Sequence, residues 1–128
     1  MFIENRSKLN FEETVEQIST LIAENGWKVI TVHDLQETMK KNGKDVRSVK
    51  VIETCNPNHA YKILSQDDER IASNTMPCRI SVYEKSDGKT YFSRMNAEAM
   101  AGQAGGIIQE VMTDAFRDME NILKEVSE

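Results

Sequence analysis

Phe11, Val15, Ile18 and Ile22 recur at helical intervals, with Leu21 widening the stripe, while Glu13, Glu16, Gln17 and Glu24 occupy the opposite side. That period predicts a helix that buries one face. Asn10 suits its N-cap, and Glu13 stands in the capping-box position. Asn25-Gly26 ends the run, because glycine takes the left-handed C′ conformation without penalty. Ahead of this helix, residues 8–11 read as a short edge strand. After it, WKVITVHD is rich in β-branched residues and predicts a strand. Ile30 and Val32 would face the core, leaving Trp27, Val29, Thr31 and His33 on the other side. Asp34 then caps a short helix, LQETMKKNG, anchored by Leu35 and Met39.

The stretch VKVIETCNPNHAYKIL is the chain's most informative junction. Strand alternation puts Val49, Val51, Glu53 and Cys55 on one face and Lys50, Ile52 and Thr54 on the other. Asn56-Pro57 opens a helix: asparagine caps, and proline at the first position has no amide to leave unpaired. Ala60, Tyr61 and Leu64 supply its inward side, with Ile63 broadening it. SQDDERIASN reads as a polar turn around a short helical segment held down by Ile71. CRISVYE is a strand with Cys78, Ile80 and Val82 on one face. Asp87-Gly88 marks a hairpin, since that pair accepts positive φ. TYFSRM returns. Residues 96–106 (NAEAMAGQAGG) read as linker or loop, their glycines lacking the spacing of a phosphate-cradling fingerprint. The final helix carries Ile108, Val111, Met112, Ala115, Met119, Ile122 and Val126 along one side. It should cover a sheet face or pair with a partner's helix.

Helix, strand, short helix, strand, short helix, hairpin and long helix make a single two-layer α+β domain with a mostly antiparallel sheet. Its 128 residues and 14.6 kDa suffice for one core without metal or disulfide support. No apolar run approaches the roughly 20 residues needed to cross a bilayer. The N-terminal residues lack a signal-peptide pattern, so a cytoplasmic protein is expected. Two cysteines are too few for a disulfide framework.

The net charge of −5 disfavours nucleic acid, which calls for a concentrated basic footprint. The imbalance is local: from residue 107 onward there are six acidic residues against Arg117 and Lys124. Residues 28–50 are basic by three charges, which reads first as a solvated face and second as a place for a phosphate-bearing small ligand.

The candidate chemistry gathers at the junction. Cys55 ends one strand and Cys78 begins another; if the two strands are antiparallel neighbours, the sulfurs approach. The opening of the following helix would favour a Cys55 thiolate, and His59 lies one turn along. Against this stands the ordinary role of cysteine as a small buried hydrophobe. Cys55, Cys78 and His59 could share a metal, but zinc would need a fourth ligand, His33 or Glu53, from another strand. Glu53 among valines is the oddest local feature, explained most simply by a solvated strand end or a lysine partner. Met39, Met95, Met100, Met112 and Met119 read as core and interface filler. Paired carboxylates, a nucleophile elbow and HExxH are all missing.

In CNPNHAYKIL and MPCRISVYEKSDGKTYFSRM the chain resembles the DUF302 family of small α/β domains, whose biochemical role is undefined. The markers are Gly26, the His33-Asp34 strand end, Asn56-Pro57, and Pro77 opening the hairpin at Asp87-Gly88. They span residues 10–96. The resemblance implies a curved antiparallel sheet backed by helices, in a TATA-binding-protein-like arrangement, and carries over no catalytic residues. It divides the chain into a family-like domain at 1–96 and a loop with an amphipathic helix at 97–128, packed on that domain or in an interface. Two readings stay open. One is a noncatalytic module binding a small ligand or a protein, expected as a homodimer through a sheet edge or the last helix. The other is a thiol-dependent redox sensor or enzyme using Cys55 with Cys78 and His59. Residues for a ligand would be Cys55, Asn56, His59, Cys78, His33 and Glu53, and the sequence names no cofactor.

Overall fold

The computed structural model describes residues 1–128. In chain order the elements are β1 (Phe2–Arg6), α1 (Phe11–Glu24), β2 (Lys28–Asp34), α2 (Leu35–Lys41), β3 (Val49–Cys55) and α3 (Pro57–Leu64). A 3-10 helix at Asp67–Thr75 follows, then β4 (Cys78–Glu84), β5 (Thr90–Met95), α4 (Ala97–Ala101) and α5 (Gly106–Leu123). The five strands form one antiparallel sheet in the order β1-β5-β4-β3-β2. The two-layer α+β expectation holds.

Local chemistry sets the boundaries. At α1, Asn10 Oδ1 accepts from the Glu13 amide at 2.9 Å, and Glu13 accepts from the Asn10 amide in return. Gly26 leaves the helix at φ +82°, a region open to glycine at little cost. Asp34 caps α2 through the Glu37 amide at 3.0 Å. Gly88 turns the β4–β5 hairpin at φ +77°, with Asp87 accepting from the Lys89 amide at 2.9 Å.

One sheet face is covered. Ile52, Ile80, Val82 and Phe92 from the strands meet Ile18, Leu21 and Ile22 of α1 and Met119, Ile122 and Leu123 of α5 in a single core. Val126, beyond α5, is fully buried in it, and the Lys8 amide donates to its carbonyl at 3.1 Å. The apolar stripe of α5 is therefore consumed inside its own domain, and no partner's helix is needed to cover it. The opposite sheet face, bearing Glu4, Thr31, His33, Val51, Glu53, Tyr83 and Tyr91, holds no buried residue.

Several details depart from the periodicity reading. The first strand is Phe2–Arg6, not residues 8–11; its partners come from β5, which no local pattern announces. In β2 the register slips between Val29 and Thr31. That extra residue resets the alternation, so Val29 opposite Thr54 and Val32 opposite Ile52 share the core side, while Ile30 is 54% exposed. Leu35 and Met39 do not anchor α2, which buries no residue. In α3, Ala60 and Ile63 face inward and Tyr61 is exposed. Ala72, not Ile71, holds the 3-10 helix down. The stretch read as linker contains α4, capped by Asn96 Oδ1 on the Ala99 amide at 3.1 Å. Its alanines are the best helix formers, and the glycines fall after it.

Candidate functional site

Where β3 ends and β4 begins, the helical layer stands away from the sheet. A cavity of about 340 Å³ lies there, bounded by the strand ends, α3, α4 and α5. β3 and β4 pair antiparallel with Thr54 opposite Cys78, which brings the close of one strand beside the start of the other. Cys55, Asn56, His59 and Cys78 all line the cavity. Thr54 lies between them on the wall, fully buried, its hydroxyl satisfied by the Lys28 carbonyl at 2.9 Å.

Both cysteines are free thiols. Burial pushes the Cys78 thiol up to about 11, with a smaller contribution from nearby Cys55. Burial raises Cys55 as well. The helix terminus expected to lower it is otherwise engaged: Asn56 Oδ1 accepts from the amides of Asn58 and His59 at 2.9 and 3.3 Å. The cap that starts α3 takes the donors a thiolate would have used. Burial therefore favours the protonated form of both thiols, and the helix opening does not offset it at Cys55.

His59 is fixed from outside the cavity. Its Nε2 sits 2.7 Å from Asp118 Oδ2 on α5; because an ionised carboxylate only accepts, Nε2 is the donor there. Nδ1 is buried without a partner, the single side-chain polar atom so placed. The ring tilts against Trp27, centroids 6.1 Å apart. No three His, Cys, Asp or Glu side chains converge to hold a metal ion, so Cys55, Cys78 and His59 do not form a preformed centre.

His33 and Glu53, the other two residues expected at a site, lie elsewhere. The slip in β2 puts Thr31 opposite Glu53 and His33 opposite Val51 on the uncovered sheet face. His33 Nε2 is 2.8 Å from Glu53 Oε1, and Arg79 Nε is 3.4 Å from the same oxygen. The hydrogen bond from His33, then its charge and that of Arg79, hold the Glu53 carboxyl below its ordinary value. Glu53 has a histidine and an arginine for partners, where a lysine or open solvent was expected.

Sequence reasoning missed most of the cavity wall. Fifteen of its twenty-four lining residues are hydrophobic, among them Trp27, Ile63 and Phe116. Met76, Met95, Met100, Met112 and Met119 also contribute. Only the i,i+7 spacing of Met112 and Met119 on one helix face hinted that these side chains converge. On the β5 side, Arg94 is 9% exposed and grips Glu120 through Nε at 2.7 Å and Nη2 at 2.6 Å. Its Nη1 donates to Asn5 at 2.6 Å. This bidentate pair closes one wall and ties β1, β5 and α5 together.

No curated protein matches the chain. The crystal structure of an uncharacterized conserved DUF302 protein from Bacillus stearothermophilus is similar, with a TM-score of 0.86 at 19% identity over 98% of this chain and 97% of that one. At that identity the likeness speaks for the fold alone. The family described as "Domain of unknown function DUF302" matches residues 3–126, which takes in β1 and α5, both outside the 10–96 segment carrying the sequence markers. The five-stranded sheet, its helical cover and the matched range agree: the chain belongs to the DUF302 family.

Proposed function

We propose that this protein binds an apolar small molecule in the cavity between the β3–β4 strand ends and helices α3, α4 and α5. The cavity itself carries this reading. Small-molecule sites are concave, run from about 300 to 1,000 Å³, and combine apolar walls with a few polar groups; 340 Å³ with mostly hydrophobic lining falls in that class. Strand ends and helices supply most of the wall, so the space exists before a ligand arrives.

Trp27, the chain's one tryptophan, reports on this site because it lines it at 4% exposure. Titration with N-phenyl-1-naphthylamine, a neutral aromatic probe, should change Trp27 emission saturably, with one probe per chain. Ala115→Leu, which fills the cavity from α5, should abolish that change while circular dichroism stays native. A linear, non-saturating response would refute the reading.

A protein-binding role has one observation in its favour. β2 is an edge strand, and Ile30, Val32, Leu35 and Val46 on or near it are all exposed. Exposed apolar edges pair readily with another strand, and a second copy of β2 is the self-complementary choice. Light scattering at micromolar concentration should then give a dimer that Val32→Lys converts to monomer. A monomeric wild-type mass would end this reading.

A further inference from the structure

Sulfur is concentrated in one place. The chain has two cysteines and seven methionines; both cysteines and five of the methionines line the cavity. Met1 and Met39 alone lie elsewhere. Filling a core does not need this, since leucine and isoleucine serve elsewhere in the molecule with better-defined rotamers. Thioethers differ from them in two respects. They are polarizable and pack favourably against the edges of aromatic rings, and their unbranched side chains adapt to a flat guest.

The remaining lining narrows the ligand further. Trp27, His59 and Phe116 add ring surfaces. The enclosed guanidinium of Arg94 is committed through Nε and Nη2 to Glu120 and through Nη1 to Asn5. The other lining arginine, Arg79, is 58% exposed and turned to Glu53 at the rim, so no enclosed guanidinium is free to receive a carboxylate. Asp118 occupies Nε2 of His59, and its Nδ1 is the one buried polar side-chain atom left without a partner. The two thiols stay neutral and offer soft sulfur surface rather than charge.

Building on the proposed cavity function, we infer that the ligand is a neutral, flat aromatic molecule of about two fused rings, gripped by the thioethers of Met76, Met95, Met100, Met112 and Met119. The sulfur lining sets specificity for π surface over saturated hydrocarbon of the same skeleton.

A matched pair of probes tests this, 2-naphthol and decahydro-2-naphthol, which share carbon skeleton and hydroxyl. Protein carrying 13C-methyl methionine should show five methyl signals moved by the ring current of 2-naphthol, with Met1 and Met39 unmoved. Calorimetry should give at least tenfold tighter binding for 2-naphthol. Met100→Leu with Met112→Leu, which keeps volume and removes sulfur, should bring the preference down several-fold at unchanged melting temperature. Equal affinity for the two probes, or an undiminished preference in the leucine variant, overturns the aromatic inference and leaves the cavity function standing. No movement of any cavity methyl with either probe overturns both.

Discussion

Cys78 shows how burial, rather than residue type, decides what a side chain does. Its thiol is raised from 9.0 to about 11, so the folded protein holds the proton more tightly than the unfolded chain. The stability this represents is fully present below pH 9.0 and is lost as pH rises through 11. At 1.36 kcal/mol per pH unit the whole effect is ~2–3 kcal/mol. Cys78→Ala should therefore flatten the alkaline limb of a denaturant-stability profile, although it lowers stability at neutral pH by removing packed atoms. An unchanged alkaline slope would show that another group dominates there. The approach of Cys55 and Cys78 was legible in the sequence, because a strand end beside a strand start follows from antiparallel neighbours. The upward push on their thiols was not, since it depends on how deeply the surrounding elements bury them. Asp118, the partner of His59, is 59 residues away along the chain. No spacing rule reaches that far.

Elements bounded by their own caps were the readable ones. The α1, α2 and α3 starts all follow from asparagine or aspartate side chains bonding amides two or three residues on. What those helices bury was harder to read: α2 has the right caps and covers nothing. β2 illustrates the same limit, because a one-residue slip at Ile30 reverses the faces that alternation assigns to Val29 and Ile30 while Thr31, Val32 and His33 keep theirs. The end of the chain was read as a loop and helix packed on the domain or in an interface; its helix and the residues after it supply Met119, Ile122, Leu123 and Val126 to the main core. Leu123→Ala, at a site 2% exposed, should cost about 2–5 kcal/mol in chemical denaturation. A loss below about 1 kcal/mol would mean that α5 is only loosely docked and that the core closes without it.

Taken whole, the molecule uses its two sheet faces differently. One is sealed by α1 and α5 except at the strand ends, where the cavity lies; the other is lined with paired charges and stacked tyrosines, Tyr83 and Tyr91 having ring centroids 6.5 Å apart. Composition foretold one main core, but neither the small second cluster of Ile63, Ala72, Ile108 and Val111 nor the place where the fold opens, because a cavity is a failure of contact among elements distant in the chain. The β1–β5 pairing adds a kinetic consequence. Asn5 and Arg94, joined by a 2.6 Å hydrogen bond, stand 89 positions apart. Closing a loop of that length carries an entropy cost before any contact repays it. The β3–β4 and β4–β5 ladders connect shorter stretches and should form first, with β1 joining after the folding barrier is crossed. Asn5→Ala should then speed unfolding and leave the refolding rate nearly unchanged in stopped-flow chevrons. If refolding slowed in proportion to the lost stability instead, β1 would belong to the nucleus. On the expected outcome, the strand that holds Arg94 against Glu120 is the last to dock, and the cavity wall is completed only in the final step of folding.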